Sequence, residues 1–220
     1  MALQTIELDP GVTPAATVIV LHGLGADGTD FLAMADELHL DAVGPVRWVL
    51  PRAPVRPVTI NGGYRMRAWY DILVTDLQRR EDEAGLRKSF AAVLALIERE
   101  IARGTPASRI VLAGFSQGCA VTLGAGLRSP HRLAGLAGLS GYLPLPEASA
   151  AERHPANAGV PVFLAHGRDD GVVPIARGLA ARDALQRQGI DVEWHEYPME
   201  HSVCLEELQA LERWLIERLG

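Results

Sequence analysis

The chain has 220 residues, of which 48% are hydrophobic, and a formal net charge of −6. Its length and composition predict a single domain over residues 1–220, with a core large enough to fold without disulfides or a structural metal. The acidic balance argues against nucleic acid as a partner, because phosphate binding requires clustered lysine and arginine. The sequence shows neither a signal-peptide pattern nor an apolar run of about 18 residues, so we expect a cytoplasmic protein without stable membrane insertion.

Short apolar runs alternate with longer amphipathic segments along the chain. That order is typical of an α/β fold with a mostly parallel sheet and helices on both of its faces. Strands are predicted over 17–21, 46–50 (ending at Pro51), 109–114, 133–139, 160–165 and 192–197. Helices are predicted over 31–40 (capped by Asp30), 86–103, 117–128, 175–188 and 203–219. Two further segments, 52–70 and 141–159, are predicted to be irregular, and loops of that length often line a functional site.

The most informative segment is a G-x-S-x-G pattern between an apolar strand and a helix. Ser116 stands on the turn, where its hydroxyl is accessible to a substrate. Gly114 and Gly118 flank it because a Cβ at either position would crowd the neighbouring strand and helix. The backbone N–H of Gln117, at the start of the helix, is placed to stabilise an oxyanion. The alternative is that Ser116 only caps the helix, which explains the serine but not both glycines.

A serine hydroxyl becomes a good nucleophile only when a neighbouring base accepts its proton. In the chain order Ser…Asp…His, His201 is the favoured base, because its loop between the last strand and the last helix can overhang the carboxyl edge of the sheet. The alternative is that His201 only caps the final helix. The acid that orients the imidazole should follow the preceding strand, where Asp169 and Asp170 both qualify by position.

The second oxyanion donor is expected in the loop after an early strand, and the glycine-rich segment 21–28 fits that place. The backbone N–H of Leu24 is the candidate donor. Gly23, Gly25 and Gly28 also match a nucleotide-binding pattern, but no acidic ribose-binding residue follows the next strand. A nucleotide-binding enzyme therefore remains an alternative, as does a fold of this class that only binds a ligand.

Together these segments resemble the carboxylesterase and acyl-protein thioesterase family, also called phospholipase/carboxylesterases. The resemblance covers nearly the whole chain, through residues 21–25, 57–63, 69–71, 114–118, 166–170 and 197–199. It implies an α/β-hydrolase fold with little or no cap domain, no metal and no cofactor. It also implies hydrolysis of carboxylic esters with short to medium acyl chains, or of thioesters, through an acyl-enzyme. The family's triad falls on Ser116, Asp170 and His201, and its oxyanion donors fall on Leu24 and Gln117.

Two positions depart from the family's pattern. Cys119 replaces a second glycine after the elbow, which predicts a packing change within the helix. Glu200 stands where similar sequences have glycine before the histidine, so a left-handed backbone there would be strained. The carboxylate of Glu200 would also favour a protonated His201.

The predicted partner is a small-molecule ester or thioester, with lysophospholipase-type activity as an alternative. Its acyl group is expected to contact apolar residues in loops near the predicted triad. The candidates for this acyl pocket are Met66, Trp69, Leu73, Val173 and Met199. The alternative is that these five side chains belong to the ordinary core.

Overall fold

The computed structural model describes residues 3–73 and 81–220. The strands are β1 (Gln4–Leu8), β2 (Ala16–Leu21), β3 (Val46–Arg52), β4 (Val55–Val58), β5 (Tyr64–Arg67), β6 (Ile110–Phe115), β7 (Gly135–Leu139), β8 (Val162–Gly167) and β9 (Val192–Tyr197). The α-helices are α1 (Leu32–Glu37), α2 (Glu83–Ala102), α3 (Gln117–Arg128), α4 (Pro146–Ala151), α5 (Ile175–Arg187) and α6 (Leu205–Leu219).

Seven of these strands form one sheet in the order β1-β3-β2-β6-β7-β8-β9. Only β1 is antiparallel to its neighbour, and β4 and β5 form a separate antiparallel hairpin. Strands β2, β7 and β8 are buried along their whole length, as parallel strands between two helical layers should be. One hydrophobic cluster packs α2, α3 and α5 on one face, and a second packs α1 and α6 on the other. The predicted fold class is confirmed.

The predicted strand over 192–197 and the predicted helix over 117–128 coincide with β9 and α3, and the other predicted elements differ at their ends. The predicted cap at Asp30 is wrong. The helix is preceded by a 3-10 turn, Thr29–Phe31, and no side chain caps α1. Asp27 accepts the hydrogen bond from the Thr29 N–H instead, at 3.1 Å, so it is Asp27 that stabilises the start of this turn.

The predicted strand end at Pro51 is also wrong, because β3 continues to Arg52. Its last residues pair with β1, a strand that was not predicted, and Pro51 lies opposite Thr5. The two segments predicted to be irregular contain the β4–β5 hairpin and α4. Across residues 3–73 and 81–220, no helix combines the length and apolar character needed to cross a bilayer.

Candidate active site

Ser116 lies between the carboxyl end of β6 and the start of α3, in the sharp turn that the sequence predicts. Its backbone has φ 56° and ψ −116°, a conformation that non-glycine residues rarely adopt. Such strain costs roughly 1–3 kcal/mol and persists only where the surroundings impose it. Here the Ser116 N–H donates to the Leu139 carbonyl on the neighbouring strand at 2.9 Å, which holds the turn in place.

Two glycines allow this turn to pack closely against the sheet. A Cβ on Gly114 would overlap the carbonyl of Gly118, and a Cβ on Gly118 would overlap the carbonyl of Leu21 in β2. Neither site has space for a side chain, because each faces backbone atoms that cannot rotate away. The glycines thus bring α3 onto the carboxyl ends of β2 and β6.

His201 and Asp170 complete a hydrogen-bonded series with this serine. The Nε2 atom of His201 lies 2.9 Å from the Ser116 hydroxyl oxygen, and its Nδ1 atom lies 2.7 Å from Oδ2 of Asp170. Because Asp170 accepts at Nδ1, the neutral ring carries its proton there and leaves Nε2 free to accept from the serine. The Phe115 ring lies 4.7 Å from the His201 ring, centre to centre, at an interplanar angle of 42°.

Of the two aspartates that qualify by position, the structure brings Asp170 to the histidine and leaves Asp169 exposed. The other oxygen of Asp170 accepts hydrogen bonds from the N–H groups of Val172 and Val173, at 2.8 and 2.7 Å. These bonds fix the carboxylate because they leave it one free direction, toward the imidazole.

His166 supports the same turn from the end of β8. Its Nε2 atom donates to the Val173 carbonyl at 2.7 Å, and it also lies 3.4 Å from Oδ2 of Asp170. Burial lowers the pKa of His166 below its usual value, since a charged imidazole would lose its hydration. A neutral His166 adds no positive charge beside Asp170.

The loop that carries His201 rests on Gly167. A Cβ at Gly167 would overlap the carbonyls of Met199 and Glu200. Position 167 must therefore be glycine for this loop to pack against the end of β8. Glu200 itself is exposed and is not among the described residues with positive φ, which are Ser116, Ser140 and Leu145 apart from glycines. The backbone strain expected at Glu200 is therefore absent.

The two predicted oxyanion donors, the N–H groups of Leu24 and Gln117, make no hydrogen bond to any described residue. The Leu24 loop is held by His22, whose Nδ1 atom donates to the Gly23 carbonyl at 2.7 Å while Nε2 accepts from the Ala53 N–H at 3.0 Å. An N–H group only donates, which fixes the tautomer of His22. Burial lowers the pKa of His22 and keeps this ring neutral.

The side chain of Gln117 connects these loops to the segment after β5. Its amide oxygen accepts from the Trp69 N–H, and its amide nitrogen donates to the Tyr70 carbonyl, both at 2.8 Å. The Trp69 indole N–H donates in turn to the His22 carbonyl at 2.9 Å. One connected set of hydrogen bonds therefore holds both candidate oxyanion donors in place.

Two cavities open beside Ser116, and both are lined by Leu24 and Val172. The tyrosine cavity, of about 340 Å³, is also lined by Ile60, Asn61, Tyr70, Ile72, Gln117, Tyr142, Gly171 and Val173. The histidine cavity, of about 490 Å³, is also lined by Gly23, Ala26, Asp30, Phe31, Phe115, His201, Ser202 and Val203.

The five candidates for the acyl pocket have different positions. Only Val173 lines one of the two cavities. Trp69 is fully buried in the core, and the Met66 sulfur accepts a hydrogen bond from Asn61 at 3.4 Å. Leu73 and Met199 are partly buried and line neither cavity.

Sequence reasoning missed Tyr70 and Tyr142 as cavity residues. Their hydroxyl groups share a hydrogen bond of 2.6 Å, and the Arg177 guanidinium lies 3.4 Å from the centre of the Tyr142 ring. The sequence contained one indication of Tyr70, the motif Trp69-Tyr70-Asp71. The prediction placed Trp69 of this motif in the acyl pocket, whereas its neighbour Tyr70 lines the cavity.

Comparison with known proteins gives consistent matches over most of the chain. A family model described as phospholipase/carboxylesterase matches residues 5–217. Acyl-protein thioesterase 1 of Neurospora crassa is 43% identical over 213 residues, covering 93% of this chain and 87% of that protein. Acyl-protein thioesterase 1 of Yarrowia lipolytica is 38% identical over 209 residues, covering 93% and 92%.

Solved structures agree with this result. SOBER1 of Arabidopsis thaliana is 32% identical, with a TM-score of 0.89 and coverage of 93% of this chain and 99% of that one. Zea mays acyl-protein thioesterase 2 is 31% identical, with a TM-score of 0.87 and coverage of 99% of both chains. The fold is that of an α/β-hydrolase. The chain belongs to the phospholipase/carboxylesterase family and is a hydrolase of esters or thioesters, so the predicted resemblance is confirmed.

Proposed function

We propose that the chain hydrolyses acyl esters and thioesters with Ser116 as nucleophile, His201 as general base and Asp170 as the acid that orients it. The observation that carries this proposal is the unbroken hydrogen-bonded series Ser116–His201–Asp170 on a strained turn. A serine that only caps a helix needs neither the strain nor a base 2.9 Å from its hydroxyl.

The reaction proceeds in two acyl transfers. His201 accepts the Ser116 proton at Nε2 while the serine oxygen attacks the substrate carbonyl carbon. The resulting oxyanion is stabilised by the N–H groups of Leu24 and Gln117, which are free to donate. The protonated His201 then gives its proton to the departing alcohol or thiol. The same imidazole then takes a proton from water, whose oxygen attacks the acyl carbon. The imidazole returns that proton to the Ser116 oxygen as the bond to the acyl group breaks and the acid leaves.

The tyrosine cavity is proposed to hold the acyl chain. The tetrahedral carbon directs its oxyanion toward Leu24 and Gln117 and its leaving atom toward His201, which lines only the other cavity. The remaining substituent is the acyl chain, and the tyrosine cavity offers it Ile60, Ile72 and Val173. Burial of apolar chain carbons there provides binding energy.

The relatives named acyl-protein thioesterase suggest a thioester on a protein as the substrate of this chain. A series of p-nitrophenyl esters of increasing acyl length, measured beside one S-acyl thioester, tests both bond type and chain length. We expect both bond types to be cleaved, because oxygen and sulfur leaving groups can both accept a proton from His201.

The decisive test is Ser116→Ala, with exposed Ser108→Ala at the opposite end of β6 as the matched control. The first variant should lose roughly 10⁴-fold or more in kcat and fail to react with a fluorophosphonate probe. The control should keep both properties. Ester hydrolysis by Ser116→Ala at more than a hundredth of the native rate would refute the proposed nucleophile.

A further inference from the structure

We propose that the leaving group of the substrate binds in a groove on the His201 side of the nucleophile, where Asp30 and Glu37 select a peptide that carries a positive charge. This inference rests on the proposed function. The leaving-group groove consists of the histidine cavity and an adjoining cavity of about 390 Å³ that shares Asp30, Phe31 and Val203 with it.

The chemistry of acyl transfer fixes which part of the substrate enters this groove. The imidazole that accepts the serine proton must return it to the leaving atom, which therefore lies within hydrogen-bond reach of Nε2 of His201. His201 lines the groove and does not line the tyrosine cavity. Whatever is attached to the leaving atom must extend into the groove.

The shape of the groove suits an extended apolar segment. It runs between the turn before α1 and the start of α6, and both sides contribute apolar side chains: Phe31, Met34, Val203, Leu205 and Leu208. Leu205 is 52% exposed, so an occupant would cover apolar surface that now faces water. A small alcohol would leave most of this surface uncovered, whereas several residues of a peptide would cover it.

The charges of the groove are of one sign. The carboxylates of Asp30 and Glu37 are exposed and form neither an ion pair nor a side-chain hydrogen bond with any residue in 3–73 or 81–220. No lysine or arginine is among the described residues that line the groove. Elsewhere on the surface, Glu83 and Glu152 share the guanidinium of Arg87. The unpaired carboxylates therefore favour a lysine or arginine near the acylated residue.

The expected selectivity is modest, because exposed charge pairs are weak. Each contributes roughly 1.5- to 5-fold in an equilibrium, and added salt reduces the contribution. Two carboxylates acting on one cationic side chain should therefore give a preference of about 3- to 10-fold.

The test uses two S-octanoyl cysteine peptides of identical length that differ only in one residue near the cysteine, lysine in one and glutamate in the other. We expect the native chain to cleave the lysine peptide with a kcat/KM about 3- to 10-fold higher at low ionic strength, and 0.5 M NaCl to reduce that ratio. The double variant Asp30→Asn/Glu37→Gln should bring the ratio close to 1. Because the ratio compares two substrates within one protein, a general change in activity cancels.

Asp36→Asn is the matched control. Asp36 is an exposed carboxylate on α1, next to Glu37, and it does not line the groove. It should keep the native ratio. A ratio near 1 in the native chain, or an equal loss of selectivity in Asp36→Asn, would overturn the assignment of Asp30 and Glu37. Cleavage of p-nitrophenyl esters without cleavage of either peptide would also overturn it and leave the proposed ester hydrolysis at Ser116 intact. Full activity of Ser116→Ala would instead refute the proposed function.

Discussion

Two carboxylates with fully buried side chains lie at opposite ends of the parallel strands, one near the amino ends and one near the carboxyl ends. Glu100, near the amino end of β3, contacts three guanidinium groups, those of Arg47 at 3.3 Å, Arg99 at 2.8 Å and Arg103 at 2.9 Å. Asp170, beyond the carboxyl end of β8, has no arginine partner among the described residues. It contacts two backbone N–H groups and imidazole rings.

This difference shows what a carboxylate needs in order to act on a base. The charge of Glu100 is already balanced by three guanidinium groups. Glu100 therefore holds β3 and α2 together and exerts little net electrostatic attraction on any other group. The amide partners of Asp170 fix its position without cancelling its charge. In the proposed reaction, Asp170 can therefore stabilise the positive charge that develops on His201 during proton transfer.

The largest expected effect comes from Asp170→Asn. The amide oxygen can still accept from the Val172 and Val173 N–H groups, which turns the NH₂ group toward Nδ1 of His201. Nδ1 must then accept, Nε2 carries the proton, and the ring cannot take one from Ser116. We expect kcat to fall about 10⁴-fold with the circular dichroism spectrum unchanged. A loss of less than tenfold would show that the carboxylate charge is unimportant.

Glu100→Gln is the counterpart at the other end of the strands and should affect stability instead of rate. Removing the charge leaves the nearly buried Arg47 with only Asp9 as an ionic partner, at 3.1 Å, and the Asp9 side chain is 45% exposed. Arg99 and Arg103 keep Glu7 as their partner. We expect the free energy of unfolding to fall by about 1.5–3 kcal/mol, measured by urea denaturation, with kcat within twofold of native. A tenfold loss of kcat would contradict the division of roles between Glu100 and Asp170.

A third buried carboxyl group, Glu207 in the first turn of α6, has neither kind of partner. Its oxygens make no hydrogen bond of normal geometry to the described residues, and the nearby Cys204 N–H opposes the effect of burial without outweighing it. Burial raises the pKa of Glu207 from 4.5 to about 8. The folded chain therefore holds a proton that the unfolded chain releases above pH 4.5, so stability is lost as the pH rises from 4.5 to about 8.

Glu207→Gln should remove this loss, because the amide does not titrate. Between pH 6 and pH 8 the native chain should lose about 2 kcal/mol of unfolding free energy relative to the variant. The quantity to measure is the difference between the two proteins at each pH, since contributions from His22 and His166 then cancel. Parallel pH curves for the two proteins would show that Glu207 is ionised in the fold.

The sequence predicted the arrangement of Ser116, Asp170 and His201 because each follows a strand of the parallel part of the sheet. The carboxyl ends of such strands meet at one edge, so the order of the strands is enough to bring their loops together. The choice between Asp169 and Asp170 followed from the family's motif, and the geometry now separates the exposed residue from the buried one.

The cavity and the smaller elements were harder to predict. Trp69 and Tyr70 are adjacent and similar in character, yet one is fully buried against His22 and the other lines the tyrosine cavity, and only the path of the backbone decides which. Strand β1 was missed because it is short, partly exposed and without clear alternation. The β4–β5 hairpin contains Pro57, which weakens any strand pattern in the sequence.

The smallest expected effect is that of Gly167→Ala, which should change kcat by moving His201 relative to Asp170. Gly167→Ala would place a Cβ against the carbonyls of Met199 and Glu200, backbone atoms that can yield only by moving the loop that carries His201. Catalysis depends steeply on the placement of the base. We expect kcat to fall about tenfold, with KM nearly unchanged because Gly167 lines neither cavity.

Gly159→Ala is the control, since a Cβ at that exposed glycine would meet only the Arg132 side chain at 3.8 Å. Equal rates in the two variants would mean that the His201 loop adapts freely and that the packing of β8 does not set the position of the base.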